Sequence, residues 1–278
     1  MDMKKKGLRK NLVTPASIPM ALEEEIITRL LMAHRNKTNI VKEFELEKAS
    51  SATGGVGARN IEDLTDLLLK GGLSVSKSYL RTLIEDGISI ERIYLDLLQP
   101  VARKLGVCWE NDSLDFATIT LAVWHINQLM YYLSPEFLHK ELDLEKSRGK
   151  IMLFPSIGSQ HTLGLFMLAE FFRKASWEVF ADPALIEDDI FEILKDEDFQ
   201  IVGISIGSYD HKKSTKKLIS NIRKMFGTSL KIIIGGPLAV YETNLFRELK
   251  ADGQAADARE AVILANSLVR KSRIPVKS

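Results

Sequence analysis

Cysteine is nearly absent: Cys108 is the only one in 278 residues, so neither an intramolecular disulfide nor a cysteine-based zinc site can form. Long apolar runs are missing too. Nothing approaches the roughly 18 residues needed to span a bilayer, and the basic start of the chain is not followed by the apolar stretch of a secretory signal. The expectation is a cytoplasmic protein with no membrane partner. A dominant charge of one sign is also lacking, since 38 Lys+Arg stand against 37 Asp+Glu, a net +1. Residues 1–17 carry +4 and residues 270–278 another +4, which leaves −7 for the body between them. A mildly acidic body is a poor match for phosphate backbones, and the basic ends read as solubilising tails. What is present is ordinary: 45% apolar, 27% charged and 8% aromatic residues. That excludes a chain disordered throughout, a fibrous repeat and a disulfide-stapled scaffold. The length suits two domains at roughly 100–200 residues each.

The spacing of apolar residues changes halfway along. After a basic flexible tail at 1–17, residues 18–147 carry helical periodicity and no strand signal, which predicts a helical bundle or cap. Ile27, Leu30, Leu31 and His34 share one face, behind Glu23, Glu24 and Glu25, whose charge suits a helix start. Ser50–Gly57 reads as a loop. Further amphipathic pieces are Ile61/Leu64/Leu68, Leu80/Leu83/Ile84, Ile90/Ile93/Leu97/Val101 and Phe116/Ile119/Val123/Ile126/Met130. Breaks are expected at Gly71-Gly72, Asp86-Gly87 and Asn111-Asp112, with Ser134-Pro135 closing the last long helix.

Residues 148–278 follow a different pattern. Short apolar runs at Lys150–Pro155, Trp177–Ala181, Gln200–Ile206 and Leu230–Ile234, and a shorter one near Ala251-Asp252, read as strands. Helical stretches near 162–175, 186–196, 211–226 and 240–249 separate them. This alternation predicts an α/β domain: a doubly wound, flavodoxin-like parallel sheet of five strands in the order 2-1-3-4-5. Ligands of such sheets bind at the carboxyl ends of the strands.

Three of those ends are built from small residues: Ser156-Ile-Gly158-Ser159-Gln160-His161-Thr162-Leu163-Gly164, Ser205-Ile206-Gly207-Ser208 and Gly235-Gly236-Pro237. They leave a slot with one histidine at its mouth. Neither G-x-G-x-x-G nor G-x-x-x-x-G-K-[ST] occurs in the first turn, so a nucleotide-phosphate loop is not indicated. The end of the third strand lacks the acid of a response regulator, and G-x-S-x-G is missing. On its own, His161 also reads as a residue at a helix start.

Taken together, His161-x-x-Gly164, Ser205-x-Gly207 and Gly235-Gly236 resemble the cobalamin-binding fold, whose signature is D-x-H-x-x-G, S-x-L and G-G. The segment Ala251–Ala261 resembles that family's last strand and helix, and the upstream bundle resembles its cap. Three stretches are similar to the AerR/PpaA-type antirepressors of photosynthesis genes: Gly158–Trp177, Trp109–Thr120 and Glu24–Arg35. The resemblance covers about residues 18–270. It implies cobalamin, adenosyl- or hydroxo-, with His161 on the cobalt from below. It implies cofactor contacts at Gly158, Ser159, Gln160, His161, Thr162, Leu163, Gly164, Ser205, Ile206, Gly207, Ser208, Gly235, Gly236, Pro237, Asp252 and Gly253, with Trp109 and Trp124 shielding the upper face. It also implies a light- or redox-responsive regulator that binds a transcriptional repressor.

Two departures stand out. Ser159 occupies the place of the family's Asp, which would hold the ligand histidine's second nitrogen, and Gly207 replaces the Leu of S-x-L. The CarH-type photoreceptors carry Trp-x9-Glu-His in the cap, whereas here Trp109 is followed at those positions by Ile119 and Thr120. His125, beside Trp124, is the one obvious substitute for that upper ligand and reads rather as a surface or packing residue; no helix-turn-helix is present, so direct DNA contact is not expected. His34 and His139 read as ordinary helix residues, His211 as the opening of a helix, Lys212 and Lys213 as a solvated face, and Cys108 as buried and inert. No catalytic residues are assigned and the chain is not read as an enzyme: the acids Asp188, Asp189 and Asp196–Asp198 lie on a crossover away from the ligand edge. The alternatives are a haem-binding sensor on the same fold, a corrinoid methyl carrier of a methyltransferase system, and a scaffold without cofactor.

Overall fold

The computed structural model describes residues 55–138, 147–159 and 162–272, all within one compact unit. The tail at 1–17, the stretch around His34, His139, Gln160 and His161 lie outside the described residues.

The helical half begins with α1 (Ala58–Asp66), which passes through a wider π-helical turn at Leu67–Gly71 into α2 (Gly72–Glu85). The break expected at Gly71-Gly72 falls where the π-helical turn ends, at Gly72, whose φ 75° and ψ 179° are not helical. The chain does break at Asp86-Gly87. It restarts where the Ser89 hydroxyl accepts from the Arg92 N–H at 3.3 Å. A second π-helical stretch, Ile93–Leu98, leads into α3 (Gln99–Glu110). The widening falls just before Pro100, whose missing N–H and bulky ring a regular helix would not accommodate. Asp115 caps α4 (Phe116–Phe137), accepting from the Thr118 N–H at 3.0 Å. Pro135 does not end α4 as expected, because helix continues through Phe137.

The sheet follows: β1 (Lys150–Pro155), α5 (Leu163–Lys174), β2 (Glu178–Ala181), α6 (Glu187–Asp196), β3 (Ile201–Ser205), α7 (Lys212–Phe226), β4 (Lys231–Gly235), α8 (Pro237–Tyr241), α9 (Leu245–Leu249), β5 (Gly253–Gln254) and α10 (Ala258–Ser272). All pairings are parallel, in the order β2-β1-β3-β4-β5. The five-strand order is the one anticipated. The single helix expected over 240–249 is instead two short ones, α8 and α9.

Strands buried on both faces read as continuous apolar runs. Met152, Phe154, Val202, Ile204, Ile232 and Ile234 pack with α6 and α7 on one side. Ile151, Leu153, Ile201 and Ile233 pack with α5 and α10 on the other. Helix α5 is apolar on two faces because it is sandwiched. Leu165, Ala169 and Phe172 turn to the sheet, while Met167 and Phe171 join the core of the helical half, where Tyr94, Leu97, Ile126 and Phe137 also lie. The rings of Phe137 and Phe171 are 5.1 Å apart. The helical half thus rests on α5 and α10.

Candidate functional site at the carboxyl edge

The exits of β1, β3 and β4 are held side by side by backbone hydrogen bonds. The Ser156 N–H donates to the Ser205 carbonyl at 2.8 Å, the Ile206 N–H to Gly235 at 2.9 Å, and the Leu238 N–H to Ile206 at 3.1 Å. Gly158, Ser159, Ser205, Ile206, Gly207, Ser208, Gly235, Gly236 and Pro237 are therefore gathered on one edge. Thr162 stands at the start of α5, followed by Leu163 and Gly164. Gln160 and His161 lie between these described stretches in sequence.

Gly236 adopts φ 89° and ψ 178°, a conformation essentially restricted to glycine. A Cβ there would stand 2.7 Å from the Ile206 nitrogen and from Ser205 Oγ. Gly158 and Gly164 differ: no heavy atom lies within 4 Å of where their Cβ would be. So Gly236 allows two strand exits to touch, and the other two leave open space over the edge. Ser159 is only 4% exposed, and its N–H donates to the Ser156 carbonyl at 2.8 Å.

Beneath the edge, the Ser156 hydroxyl lies 3.0 Å from Thr215 Oγ1 of α7 and 3.2 Å from the Ser205 carbonyl. Both side chains are buried. The sequence reading missed Thr215, whose only signal was a hydroxyl on the inward face of α7. His211 precedes α7, with Nδ1 3.1 Å from Ser208 Oγ. Lys212, expected on a solvated face, is instead paired with Glu242 at 2.9 Å and Glu248 at 2.8 Å.

Two expected contacts stand away from this edge. Asp252 is level with Ile232 near the start of β4, accepting from its N–H at 2.6 Å and from Arg223 at 2.5 Å. A Cβ on Gly253 would meet the Leu264 side chain of α10 at 2.7 Å. Asp252 is thus absorbed by packing toward the amino-terminal side of the sheet, whereas Gly253 is level with Ile233 in mid-strand and packs against α10.

Tyr241 ends α8, which leaves this edge after Gly236. Arg103 and Glu110 of α3 are both within electrostatic reach of its phenol. Burial pulls the Arg103 guanidinium below its ordinary value, with Tyr241 opposing, and burial pushes the Glu110 carboxyl up. Burial also raises Tyr241, which Arg103 offsets and Glu110 reinforces. Trp109, on the same helix, has its ring 5.7 Å from that of Phe116. Trp124 of α4 is half-buried, with His125 as ring neighbour at 5.3 Å. His125 is buried, its Nδ1 bonded to the Leu68 carbonyl at 3.3 Å, in keeping with a packing role. Cys108 is half-buried rather than buried.

Fold and edge together define a flavodoxin-like domain with a helical layer over it and an open, glycine-lined slot at the switch of strand order. Residues 149–263 match the protein family described as B12 binding domain. The chain is 22% identical over 167 residues to an uncharacterized 20.5 kDa protein in the bchF-crtJ intergenic region of Rhodobacter capsulatus, covering 59% of this chain and 85% of that protein. It is also 22% identical over 214 residues to a corrinoid protein of Desulfitobacterium hafniense, covering 76% and 98% respectively. Among solved structures, the monomethylamine corrinoid protein of Methanosarcina barkeri superposes with a TM-score of 0.63 at 16% identity, covering 76% of this chain and 98% of that one. That likeness is one of fold.

Small residues at three adjacent strand ends, unfilled space above Gly158 and Gly164, and buried hydroxyls at Ser156 and Thr215 fit a large, flat ligand with a tail entering between strands. Among the described residues no cluster of three metal-ligating side chains occurs.

Proposed function

We propose that this chain is a cobalamin-binding, light- or redox-responsive regulator that acts by binding a transcriptional repressor, with residues 18–147 as cap and 148–278 as cofactor domain. His161, between Ser159 and Thr162, would hold the cobalt from below. Gly158, Gly164, Gly207 and Gly235 would leave room for the corrin and its tail. When bound, the cofactor would supply a cobalt centre whose ligation responds to light or oxidation state.

The observation that carries the regulatory reading is Ser159. It is buried and stands two residues before His161 in the sequence, where the family signature has a carboxylate that would tune the histidine's basicity. A serine hydroxyl neither takes up nor releases a proton near neutral pH, so His161 is suited to hold one state rather than to cycle between several. The cap is fastened to α5 and α10, the first of which starts at the slot. A shift at the slot can therefore bias a surface elsewhere. No catalytic residue is part of this reading.

A second reading, a corrinoid methyl carrier, draws support from the corrinoid relative of D. hafniense. The two are separated with cobalamin-loaded protein. A regulator predicts that illumination or reduction changes both the absorption spectrum and the protease-cleavage pattern, with no loss of methyl groups to thiols or to a partner methyltransferase. Catalytic demethylation of methylcobalamin-loaded protein by such a partner, with an unchanged cleavage pattern, would favour the carrier. A Soret band on the purified protein would favour haem instead.

A further inference from the structure

Two neighbouring helices, α6 and α7, carry opposite charge. Helix α7 has six basic residues and no acid, although the body of the chain is acidic. Helix α6 has five acids and one base, Lys195. Both pack on the same face of the sheet, and they touch where Asn221 Nδ2 donates to Glu187 Oε1 at 2.9 Å. The helical half rests on the other face, at α5 and α10, and leaves this side uncovered among the described residues.

The buried positions decide which charges are available. Thr215, Leu218, Ile219 and Ile222 of α7 are buried, and at 3.6 residues per turn this sets Lys213, Lys216, Lys217 and Lys224 in one stripe on the opposite, exposed side. Ile190 and Leu194 of α6 are buried, which sets Asp188, Glu192 and Asp196 in an exposed stripe, each four residues from the next.

Neither stripe is explained by the stability of its own helix. Like charges four residues apart repel, as Lys213 does Lys217, and as Asp188, Glu192 and Asp196 do in turn. Lys213 stands in the first turn of α7, where the helix dipole disfavours a cation, and Asp196 ends α6, where it disfavours an anion. None of these seven side chains forms an ion pair among the described residues. Lys212 and Arg223 of the same helix, by contrast, are paired with Glu242, Glu248 and Asp252. Two large apolar side chains flank the contact between the helices in the open: Ile186, just before Glu187, is 56% exposed, and Met225, one turn past Asn221, is 50% exposed.

We propose that the α6–α7 face binds a second copy of this chain, the lysine stripe of each copy lying against the acidic stripe of the other. A two-fold axis between the stripes sets each on its complement, with Ile186 and Met225 near the centre. A polyanion would meet the acidic stripe as well as the basic one, whereas a second copy matches both. Helix α7 is about 22 Å long, so two helices side by side offer a small, charged interface, and the dimer is weak and salt-dependent. This inference goes beyond the cofactor reading and does not depend on it.

The test is sedimentation velocity of the full chain in a concentration series up to about 100 μM, at about 50 mM and about 500 mM salt. Wild type is compared with Lys216→Glu plus Lys217→Glu, with Asp188→Lys plus Glu192→Lys, and with an equimolar mixture of these two variants; melting temperatures check that each is folded. The expected result is a wild-type dimer at low salt that dissociates at high salt. Each variant alone should dimerise about tenfold more weakly or worse, and the mixture should recover the dimer, because the reversed α7 of one meets the reversed α6 of the other. A wild type that stays monomeric at low salt, a variant that dimerises like the wild type, or a mixture that fails to recover the dimer would each overturn the inference. A monomeric wild type that binds heparin, with binding lost in the lysine variant, would overturn it in favour of an acidic partner.

Discussion

Glu91 and Arg259 are 168 positions apart in sequence, and the Arg259 Nε donates to Glu91 Oε1 at 2.7 Å. The other carboxylate oxygen of Glu91 receives Lys174 Nζ of α5 at 3.4 Å. One acidic side chain on the turn before α3 thereby ties the helical layer to both helices beneath it. Apolar contacts of Met167 and Phe171 fill the space between.

Burial acts to raise the Glu91 carboxyl, but the hydrogen bond from Arg259 and the charge of Lys174 outweigh it and hold the group below its ordinary 4.5. A carboxyl depressed in the folded state contributes stability above its unfolded value and loses it as pH falls through the folded one. Glu91→Gln should therefore cost about 1 kcal/mol at neutral pH. The difference from wild type should shrink as pH falls from 4.5 downward, as read by urea melts across that range.

Gly236 and Gly158 both have positive φ but should respond differently to alanine. A Cβ on Gly236 collides with the backbone and side chain leaving β3, whereas one on Gly158 meets nothing. Gly236→Ala should cost about 2–3 kcal/mol and Gly158→Ala about 1 kcal/mol from backbone strain alone. Equal denaturation midpoints for the two variants would contradict the placement of Gly236.

The Tyr131 hydroxyl is buried without a hydrogen-bond partner among the described residues. Burial, reinforced by Glu170 and opposed by Arg173, pushes it up to about 12 from the ordinary 10.0. A phenol raised in the folded state favours folding below pH 10 and loses that contribution as pH climbs toward the folded value. Tyr131→Phe should leave stability at pH 7 unchanged or raise it by up to about 1 kcal/mol. Its stability should also fall less than that of wild type between pH 10 and pH 12.

The sheet was legible in the sequence because each strand is a short apolar run between helical stretches. Lys150–Pro155 was anticipated to the residue, and the other three main strands to within a residue or two. The break at Gly71-Gly72 is present, at Gly72 with its φ of 75°. Ser134-Pro135 reads as a break too, but there helix continues to Phe137, whose burial in the core outweighs the local preference. The cluster of small residues at the strand exits followed from topology. Asp252 did not, because proximity in sequence to β5 does not say which end of the strand a residue occupies.

The central claim is a corrin bound at the carboxyl edge through His161. It is tested most directly by the absorption spectrum of protein reconstituted with hydroxocobalamin and desalted, for wild type and His161→Ala, in darkness and after illumination. The account predicts corrin bands retained by wild type at one equivalent per chain, shifted from those of free hydroxocobalamin, with the shift lost in His161→Ala. A wild-type protein that emerges colourless, or a variant whose bands match the wild type's, would contradict it.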